Sequence, residues 1–285
     1  MTKIAIIGPG AVGGTIAHDL LPTFTHLTLV GRQSQTITYT ESTAPNTETI
    51  INVTAIDEFK DPVDILFIAV KIPQLDAVIQ KLPNFIHEDT IIILAQNGTG
   101  QLSHIPHKNV FQAVVYISGQ KRQQHITHFR DHQLILQHSP STQQLQHLFS
   151  NTQLDITLVE DVDQSIWYKL LVNLAINTVT ALSRQTAQVL KVEGIQTLCE
   201  RLLQEGVKIA QAEGVIFHQD VISEIMTIYQ GYPDHMGTSM YYDIIEGKPL
   251  EIAGIQGFLY QVARKHQLAT PTLDTVYPLL LAQQQ

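Results

Sequence analysis

Cysteine, positive charge and long apolar runs are all scarce in this chain of 285 residues. Cys199 is its single cysteine, so no disulfide can form within the chain, which is typical of proteins from reducing compartments. No apolar run approaches the roughly 20 residues that are needed to cross a bilayer. The apolar residues 4–7 are followed at once by Gly-Pro-Gly and make a poor signal peptide. We therefore expect a soluble, cytoplasmic protein.

Basic residues are outnumbered, with 17 lysines and arginines against 26 aspartates and glutamates and a formal net charge of -9. A surface that binds nucleic acid needs clustered positive charge, so we expect no nucleic-acid partner. The hydrophobic fraction of 44% allows a sizeable core, and the charged fraction of 15% is too low for a disordered chain. The length suits two domains.

Histidine is abundant, with 13 residues in the chain. The tightest group is His125, His128 and His132, which lies in a polar stretch that favours strand and turn. No cysteine or histidine pair with zinc spacing accompanies it. We interpret these histidines as scattered surface residues and expect no bound metal.

Short apolar runs alternate with amphipathic segments in the first half of the chain. Strands are predicted at 3–7, 27–30, 63–70, 90–95 and 110–117, and helices at 11–21 and 75–82. This alternation predicts an α/β fold, with a doubly wound parallel sheet of the Rossmann type and right-handed crossovers. We place this dinucleotide-binding domain at residues 1–163.

The pattern changes from Gln164 onward, where no convincing strand remains. Apolar residues recur at helical spacing in four segments, 164–183, 192–213, 217–230 and 250–266. Residues 164–285 are therefore predicted to form an all-α domain.

A glycine-rich loop lies between the first predicted strand and the first predicted helix. It comprises Gly8, Pro9, Gly10, Ala11, Val12 and Gly13. The first glycine permits a tight turn, the second lets the backbone approach a pyrophosphate, and the third lets helix and strand pack closely. The helix N-terminus then offers free N–H groups to the anion. A plain turn with incidental glycines is the alternative.

The end of the second strand bears on which dinucleotide binds. NAD sites usually carry an acidic residue there, whereas this chain has Arg32 in the sequence Gly31-Arg-Gln-Ser. A guanidinium can stack on adenine and pair with a 2′-phosphate, so we predict a preference for NADPH. A solvated loop residue is the alternative role for Arg32.

A polar stripe interrupts the otherwise apolar helix that is predicted at 164–183. Lys169, Asn173 and Asn177 are spaced four apart and share one helix face. Asparagine is unfavourable inside helices, so the two asparagines need partners or a ligand. A lysine in such a site can donate a proton to a developing alkoxide. A merely solvated face is the alternative.

Residues 238–252 form a second polar group. Pro249 suits the first position of a helix, which would put Glu251 in its first turn, where the helix dipole alone favours an acid. Capping is therefore a strong rival to catalysis for Glu251. Ser239 and Asp243, four residues apart, could equally be a helix cap and a surface residue.

Together these motifs resemble the ketopantoate reductase (2-dehydropantoate 2-reductase) family over essentially the whole chain. The matching segments are GPGAVGG at 8–14, AVK at 69–71 with Gln74, AQNG at 95–98, KLLVNLAIN at 169–177 and TSMYYDIIEGKPLEI at 238–252. The resemblance implies a Rossmann domain, a helical domain of the 6-phosphogluconate dehydrogenase type, and a substrate cleft between them. It also implies NADPH-dependent reduction of ketopantoate to (R)-pantoate, on the route to pantothenate and coenzyme A.

The resemblance also assigns roles to individual residues. Lys169 would be the general acid, and Glu251 would help to bind and orient the lysine and the substrate. Asn173, Asn177 and Ser239 would hold polar groups of the substrate, and Asn97 would lie near both nicotinamide and substrate. The implied cofactor contacts are Gly8, Pro9, Gly10, Ala11, Val12, Gly13, Arg32, Lys71, Gln74 and Asn97.

One position departs from the family pattern: Met236 stands where family members often have asparagine. This departure leaves the alternative that the protein reduces another branched 2-oxo acid. A third hypothesis, a non-catalytic NADPH-sensing protein, predicts a damaged Lys169 and Glu251 pair, yet both residues are present. A homodimer is a working hypothesis that no particular residue requires.

Overall fold

Two units make up the part of the chain that the computed structural model describes, residues 1–284. Unit 1 contains residues 1–97 and 101–162, and unit 2 contains residues 98–100 and the chain from Asp163 onward. Unit 1 holds all ten described strands. They are β1 (Ile4–Ile7), β2 (Leu27–Gly31), β3 (Gln35–Glu41), β4 (Ala44–Ala55), β5 (Val63–Ile68), β6 (Ile86–Leu94), β7 (Val110–Gln112), β8 (Val114–Arg122), β9 (His125–Gln137) and β10 (Asp155–Val159). Its helices are α1 (Ala11–Leu20), α2 (Leu75–Ile79) and α3 (Pro140–Phe149).

The strands form one sheet in the order β10-β9-β3-β4-β2-β1-β5-β6-β7, with β8 paired to β9. The run from β4 to β7 is parallel throughout. From β1 the chain continues to β2 on one side and later returns to β5 on the other. Such a reversal opens a crevice at the carboxyl ends of the strands, which is where this fold class binds ligands.

Helices cover both faces of this sheet, because successive residues of β1 belong to different apolar clusters. Ile6 packs in the cluster that contains Ile16 of α1, whereas Ile7 packs in the cluster that contains Leu75 of α2. All four residues are almost fully buried. The predicted α/β class, with a doubly wound sheet in the first half, is therefore confirmed.

Several elements of unit 1 differ from the prediction. The single strand predicted at 110–117 is two strands, since β7 pairs with β6 and β8 turns to pair antiparallel with β9. The strands β3, β4 and β10 and the helix α3 are not among the predicted elements, whereas β9 contains the His125–His132 stretch for which strand and turn are favoured. In these strands the buried positions are separated by exposed or partly exposed ones and form no continuous apolar run. His128 in β9 is only 4% exposed, so its interpretation as a surface histidine is wrong.

Unit 2 is helical, and the described residues after 163 contain no strand. Its helices are α4 (Val162–Ser183), α5 (Ile195–Ala212), α6 (Val221–Gln230), α7 (Ser239–Ile245), α8 (Gln256–Lys265) and α9 (Pro271–Ala282). In α4, 12 of the 22 residues are buried. Gly206 of α5 approaches it so closely that a β-carbon there would lie 2.5 Å from Leu171 Cδ2. Tyr229 of α6 donates its hydroxyl to the carbonyl of Val172 at 2.8 Å.

The helix predicted at 250–266 begins only at Gln256, so the expectation that Glu251 lies in its first turn is wrong. The preceding residues form a turn in which the carbonyl of Gly254 accepts from Thr99 N–H at 3.3 Å. The Gly254 carbonyl therefore accepts its hydrogen bond within a turn and not within a helix. Asp243 is only 9% exposed, so the alternative that it is a surface residue is wrong.

No helix within the described residues is long and apolar enough to cross a membrane.

Candidate active site

The glycine loop of unit 1 follows β1 and requires a glycine at its first position. Gly8 has a φ of +113°, and a β-carbon there would lie 2.7 Å from the carbonyl carbon of Ala69. Gly13 faces Gly8 across the loop, and a β-carbon on Gly13 would lie 2.1 Å from the Gly8 carbonyl oxygen. The close packing of α1 on the loop therefore depends on both residues.

Gly10 differs from these two glycines because the space into which a side chain would project is empty. A β-carbon on Gly10 would meet no atom within 4 Å. Gly10 is also the N-cap of α1, where no side chain caps the helix and no acid lies in the first turn. Free N–H groups and the positive end of the helix dipole thus face an open space, which fits the pyrophosphate of a dinucleotide.

Two side chains that the sequence reasoning missed support this loop and its neighbour. Lys121 of β8 donates to the carbonyl of Pro9 at 2.6 Å. Gln96 follows β6, is 4% exposed, and donates its amide to the carbonyl of Val70 at 2.6 Å. It ties the end of β6 to the segment that contacts Gly8. No local sequence signal marks either contact, since each joins residues distant in the chain.

Arg32 is exposed immediately after β2. Its neighbour Gly31 packs against Pro9, and a β-carbon on Gly31 would lie 2.9 Å from Pro9 Cγ. The segment that carries the guanidinium is therefore held beside the glycine loop. No acid stands at this position in the sequence, but the fold brings one close to it. Ser34 donates to Glu58 Oε2 at 2.6 Å and accepts from Ala55 N–H at 2.8 Å.

The remaining predicted cofactor residues follow β5 and β6. Lys71 is half-buried and precedes a short 3-10 turn over Ile72–Gln74, which ends in the exposed Gln74. Asn97 is half-buried and is the last residue of its stretch in unit 1. Because β1, β2, β5 and β6 are parallel neighbours, all these residues lie at one edge of the sheet.

In unit 2 the polar stripe lies on α4, as predicted from its spacing. Lys169 and Asn173 are half-buried, whereas Asn177 is only 3% exposed. Such burial does not fit a merely solvated face, which is the alternative for this stripe.

Ser239 is the exposed first residue of α7, and the cap of that helix is its neighbour Thr238. The Thr238 hydroxyl accepts from Tyr241 N–H at 3.2 Å and pairs with the Thr180 hydroxyl of α4 at 2.7 Å. The N-terminus of α7 is therefore fixed to α4 three residues beyond Asn177.

Glu251 lies in the loop before α8 and is 8% exposed. This loop leads to Gln256, which is fully buried and donates to the Thr178 hydroxyl of α4 at 3.0 Å. Both segments that carry predicted site residues thus attach to α4 within one turn of Asn177. These segments are held by Thr178, Thr180 and Gln256, none of which is predicted from the sequence.

Burial also changes the acidity of a side chain packed on α4. It raises the pKa of the Tyr229 hydroxyl well above its ordinary value, with a smaller contribution from nearby Cys199. The hydroxyl therefore stays protonated and remains a donor to Val172.

Unit 1 has the glycine loop of a dinucleotide-binding α/β domain, and unit 2 is helical and carries the polar stripe of α4. This organisation is that of a two-domain oxidoreductase. Comparisons with known proteins agree. The family model described as ketopantoate reductase PanE/ApbA matches residues 4–141, and its C-terminal counterpart matches residues 161–284. The chain therefore belongs to the ketopantoate reductase family, whose cofactor class is a nicotinamide dinucleotide.

Individual relatives extend over the full chain. A 2-dehydropantoate 2-reductase of Mycobacterium tuberculosis is 31% identical, over 99% of this chain and 97% of the relative. A dimeric ketopantoate reductase from Staphylococcus aureus is 54% identical, with a TM-score of 0.95 over 99% of this chain and 98% of that one. A D-mandelate dehydrogenase with NADH shares the fold, at 20% identity and a TM-score of 0.89 over 99% and 98%.

Proposed function

We propose that this protein is a 2-dehydropantoate 2-reductase that reduces ketopantoate to (R)-pantoate with NADPH, in pantothenate and coenzyme A biosynthesis. Family membership supports the reaction class. The observation that carries the proposal is the α4 stripe, because the almost fully buried Asn177 shares one helix face with Asn173, one turn away, and with Lys169, two turns away. Such a stripe suits a small substrate that bears hydroxyl and carboxylate groups.

The cofactor would be held by unit 1. The α1 N-terminus, open beside Gly10, would bind the pyrophosphate, and Arg32 would pair with the 2′-phosphate. Lys71, Gln74 and Asn97 would contact the rest of the cofactor. When bound, the reduced nicotinamide supplies the hydride.

The residues of unit 2 would orient the substrate and supply the proton. Asn173, Asn177 and Ser239 would hold its polar groups. Lys169 would donate a proton to the 2-oxo oxygen as negative charge develops there, and its ammonium would stabilise that charge. Glu251 would help to bind and orient the lysine and the substrate. We assign the two functions to residues 1–163 and 164–285.

An NADPH-oxidation assay with ketopantoate tests the proposal. We expect turnover with ketopantoate and a much lower kcat/KM with 2-oxo acids that lack its hydroxyl group. An absence of NADPH oxidation with ketopantoate would contradict the proposal.

A reductase of another branched 2-oxo acid is the second candidate, because the apolar Met236 lies two residues before the cap of α7. A higher kcat/KM for such an acid would favour this candidate.

We further propose a homodimer, as for the dimeric relative from Staphylococcus aureus, which light scattering on the purified protein would test. A monomer at assay concentration would contradict it. The single cysteine, which is buried, supports a cytoplasmic location.

A further inference from the structure

Away from the glycine loop, Glu41, His128 and His132 each offer a ligand atom, and these atoms all lie within 4.8 Å of one another. We propose that they form a binding site for Zn²⁺ in unit 1. Ligand bonds to zinc are about 2.0–2.2 Å long, so tetrahedral ligand atoms lie roughly 3.3–3.6 Å apart. To hold the ion, the ligand atoms would have to move closer together by up to about 1.5 Å.

The backbone brings these residues together in an unusual way. Glu41 and His128 are direct partners in the parallel pairing of β3 with β9. His132 follows His128 by four residues, which in a regular strand would separate them by about 13 Å. Instead their ring centroids are 4.2 Å apart. Asp131 lies between them with a φ of +64°, where the pairing of β9 with β8 shifts register. Non-glycine residues adopt such a conformation infrequently, and often at functional sites.

Each imidazole already has the second contact that metal-bound histidines have. His132 Nδ1 lies 2.9 Å from Oδ2 of Asp19, and His128 Nε2 lies 2.9 Å from the carbonyl oxygen of Asp131. Both partners are acceptors, so each contact holds a proton on the bonded nitrogen. The other nitrogen of each neutral ring is then a lone pair for a metal. Carboxylate and carbonyl partners of this kind orient metal-bound histidines in known sites.

The electrostatics of the cluster favour a cation. The Asp19 side chain has no exposed surface and lies in the last turn of α1, where the helix dipole disfavours an acid. Its neighbours are His132 and His18, whose Nδ1 is 3.3 Å away. Glu41 adds a second carboxylate. Two imidazoles and a carboxylate are a donor set that zinc prefers, with water in the fourth position.

Isothermal titration of the full-length protein with ZnCl₂ after removal of trace metal tests the site. We expect one Zn²⁺ per chain, binding at least about 100-fold weaker in His132→Ala and Glu41→Gln, and about 10–100-fold weaker in Asp19→Asn. His125→Ala is the matched control, since His125 contacts Thr40 outside the cluster, and should bind as the wild type does. Unchanged affinity in both ligand variants, or no stoichiometric binding to the wild type, would overturn the proposal.

A measurement on the unaltered protein covers the case in which a variant fails to fold. Zn²⁺ should protect His132 from diethyl pyrocarbonate, as seen by peptide mass spectrometry, while the half-exposed His138 continues to react. Equal modification of His132 with and without Zn²⁺ would overturn the proposal. Reductase activity plays no part in either readout.

Discussion

Gly13 and Gly8 approach one another so closely that no side chain fits between them, since a β-carbon on Gly13 would lie 2.1 Å from the Gly8 carbonyl oxygen. Gly10, in the same loop, has no neighbour within 4 Å of the equivalent position. Gly8 and Gly13 are therefore required by the conformation of the loop, whereas Gly10 would be required for binding of the ligand.

This difference can be tested with two alanine variants. Gly13→Ala should lower the free energy of unfolding by about 1–3 kcal/mol, because backbone atoms must move. Gly10→Ala should leave stability unchanged within about 0.5 kcal/mol, since its φ of -88° suits any residue. It should nevertheless weaken NADPH binding at least about tenfold, because the methyl group occupies the space for the pyrophosphate. Thermal unfolding and cofactor titration measure the two effects, and equal stability loss in both variants would contradict the interpretation.

Cofactor preference should depend on Arg32. Arg32→Ala should weaken NADPH binding by about 10–100-fold, the equivalent of one charge-assisted hydrogen bond, and leave NADH binding unchanged. Gln33→Ala, at the exposed neighbouring position, is the matched control. If the ratio of NADPH affinity to NADH affinity does not fall in Arg32→Ala, the NADPH assignment is wrong.

Glu58→Gln removes the carboxylate that accepts a hydrogen bond from Ser34 and should strengthen NADPH binding a few-fold at low salt.

The proton donor assigned to α4 gives a kinetic prediction. Lys169→Ala should lower kcat by about 10²–10⁴-fold, the usual contribution of a general acid, while the Kd for NADPH stays within a few-fold of the wild type. Lys191→Ala removes an exposed lysine of unit 2 that pairs with Asp234 and serves as the control. Stopped-flow turnover and cofactor fluorescence separate chemistry from binding. Near-wild-type turnover of Lys169→Ala would refute the role.

Most of unit 1 that lies near the glycine loop could be predicted, because its parallel strands are buried on both faces and therefore appear as continuous apolar runs. The full extent of β9 and the strand β10 could not, since buried positions along them are separated by polar or partly exposed residues. The cluster of His128 and His132 depends on one left-handed residue, Asp131, whose conformation no periodicity reveals.

In unit 2 the spacing of Lys169, Asn173 and Asn177 was enough to place them on one helix face. The prediction failed at Glu251, because Pro249 suggested a helix start that the chain does not use. A proline restricts only its own φ and that of its neighbour, whereas the turn at 252–255 depends on the contact of Gly254 with Thr99, about 150 positions away in the sequence.

Since Glu251 does not lie in the first turn of a helix, its catalytic role can be tested without interference from helix capping. Glu251→Gln keeps the size of the side chain but removes its charge, so we expect kcat to fall at least about tenfold with NADPH affinity unchanged. Glu246→Gln, an exposed glutamate of the same connection, should keep wild-type kcat. Steady-state kinetics with thermal unfolding distinguish the possibilities. Lost stability with normal kcat would show that Glu251 is structural only.

The single cysteine offers a test of the packing around α5. Cys199 has no exposed surface, and burial raises the pKa of its thiol to about 12, with a smaller contribution from Glu200. Only the thiolate reacts with disulfide reagents, so the native protein should be almost inert to them at pH 8. One thiol per chain should react rapidly once guanidinium unfolds the protein. Rapid stoichiometric labelling of the native protein at pH 8 would contradict the buried position of Cys199.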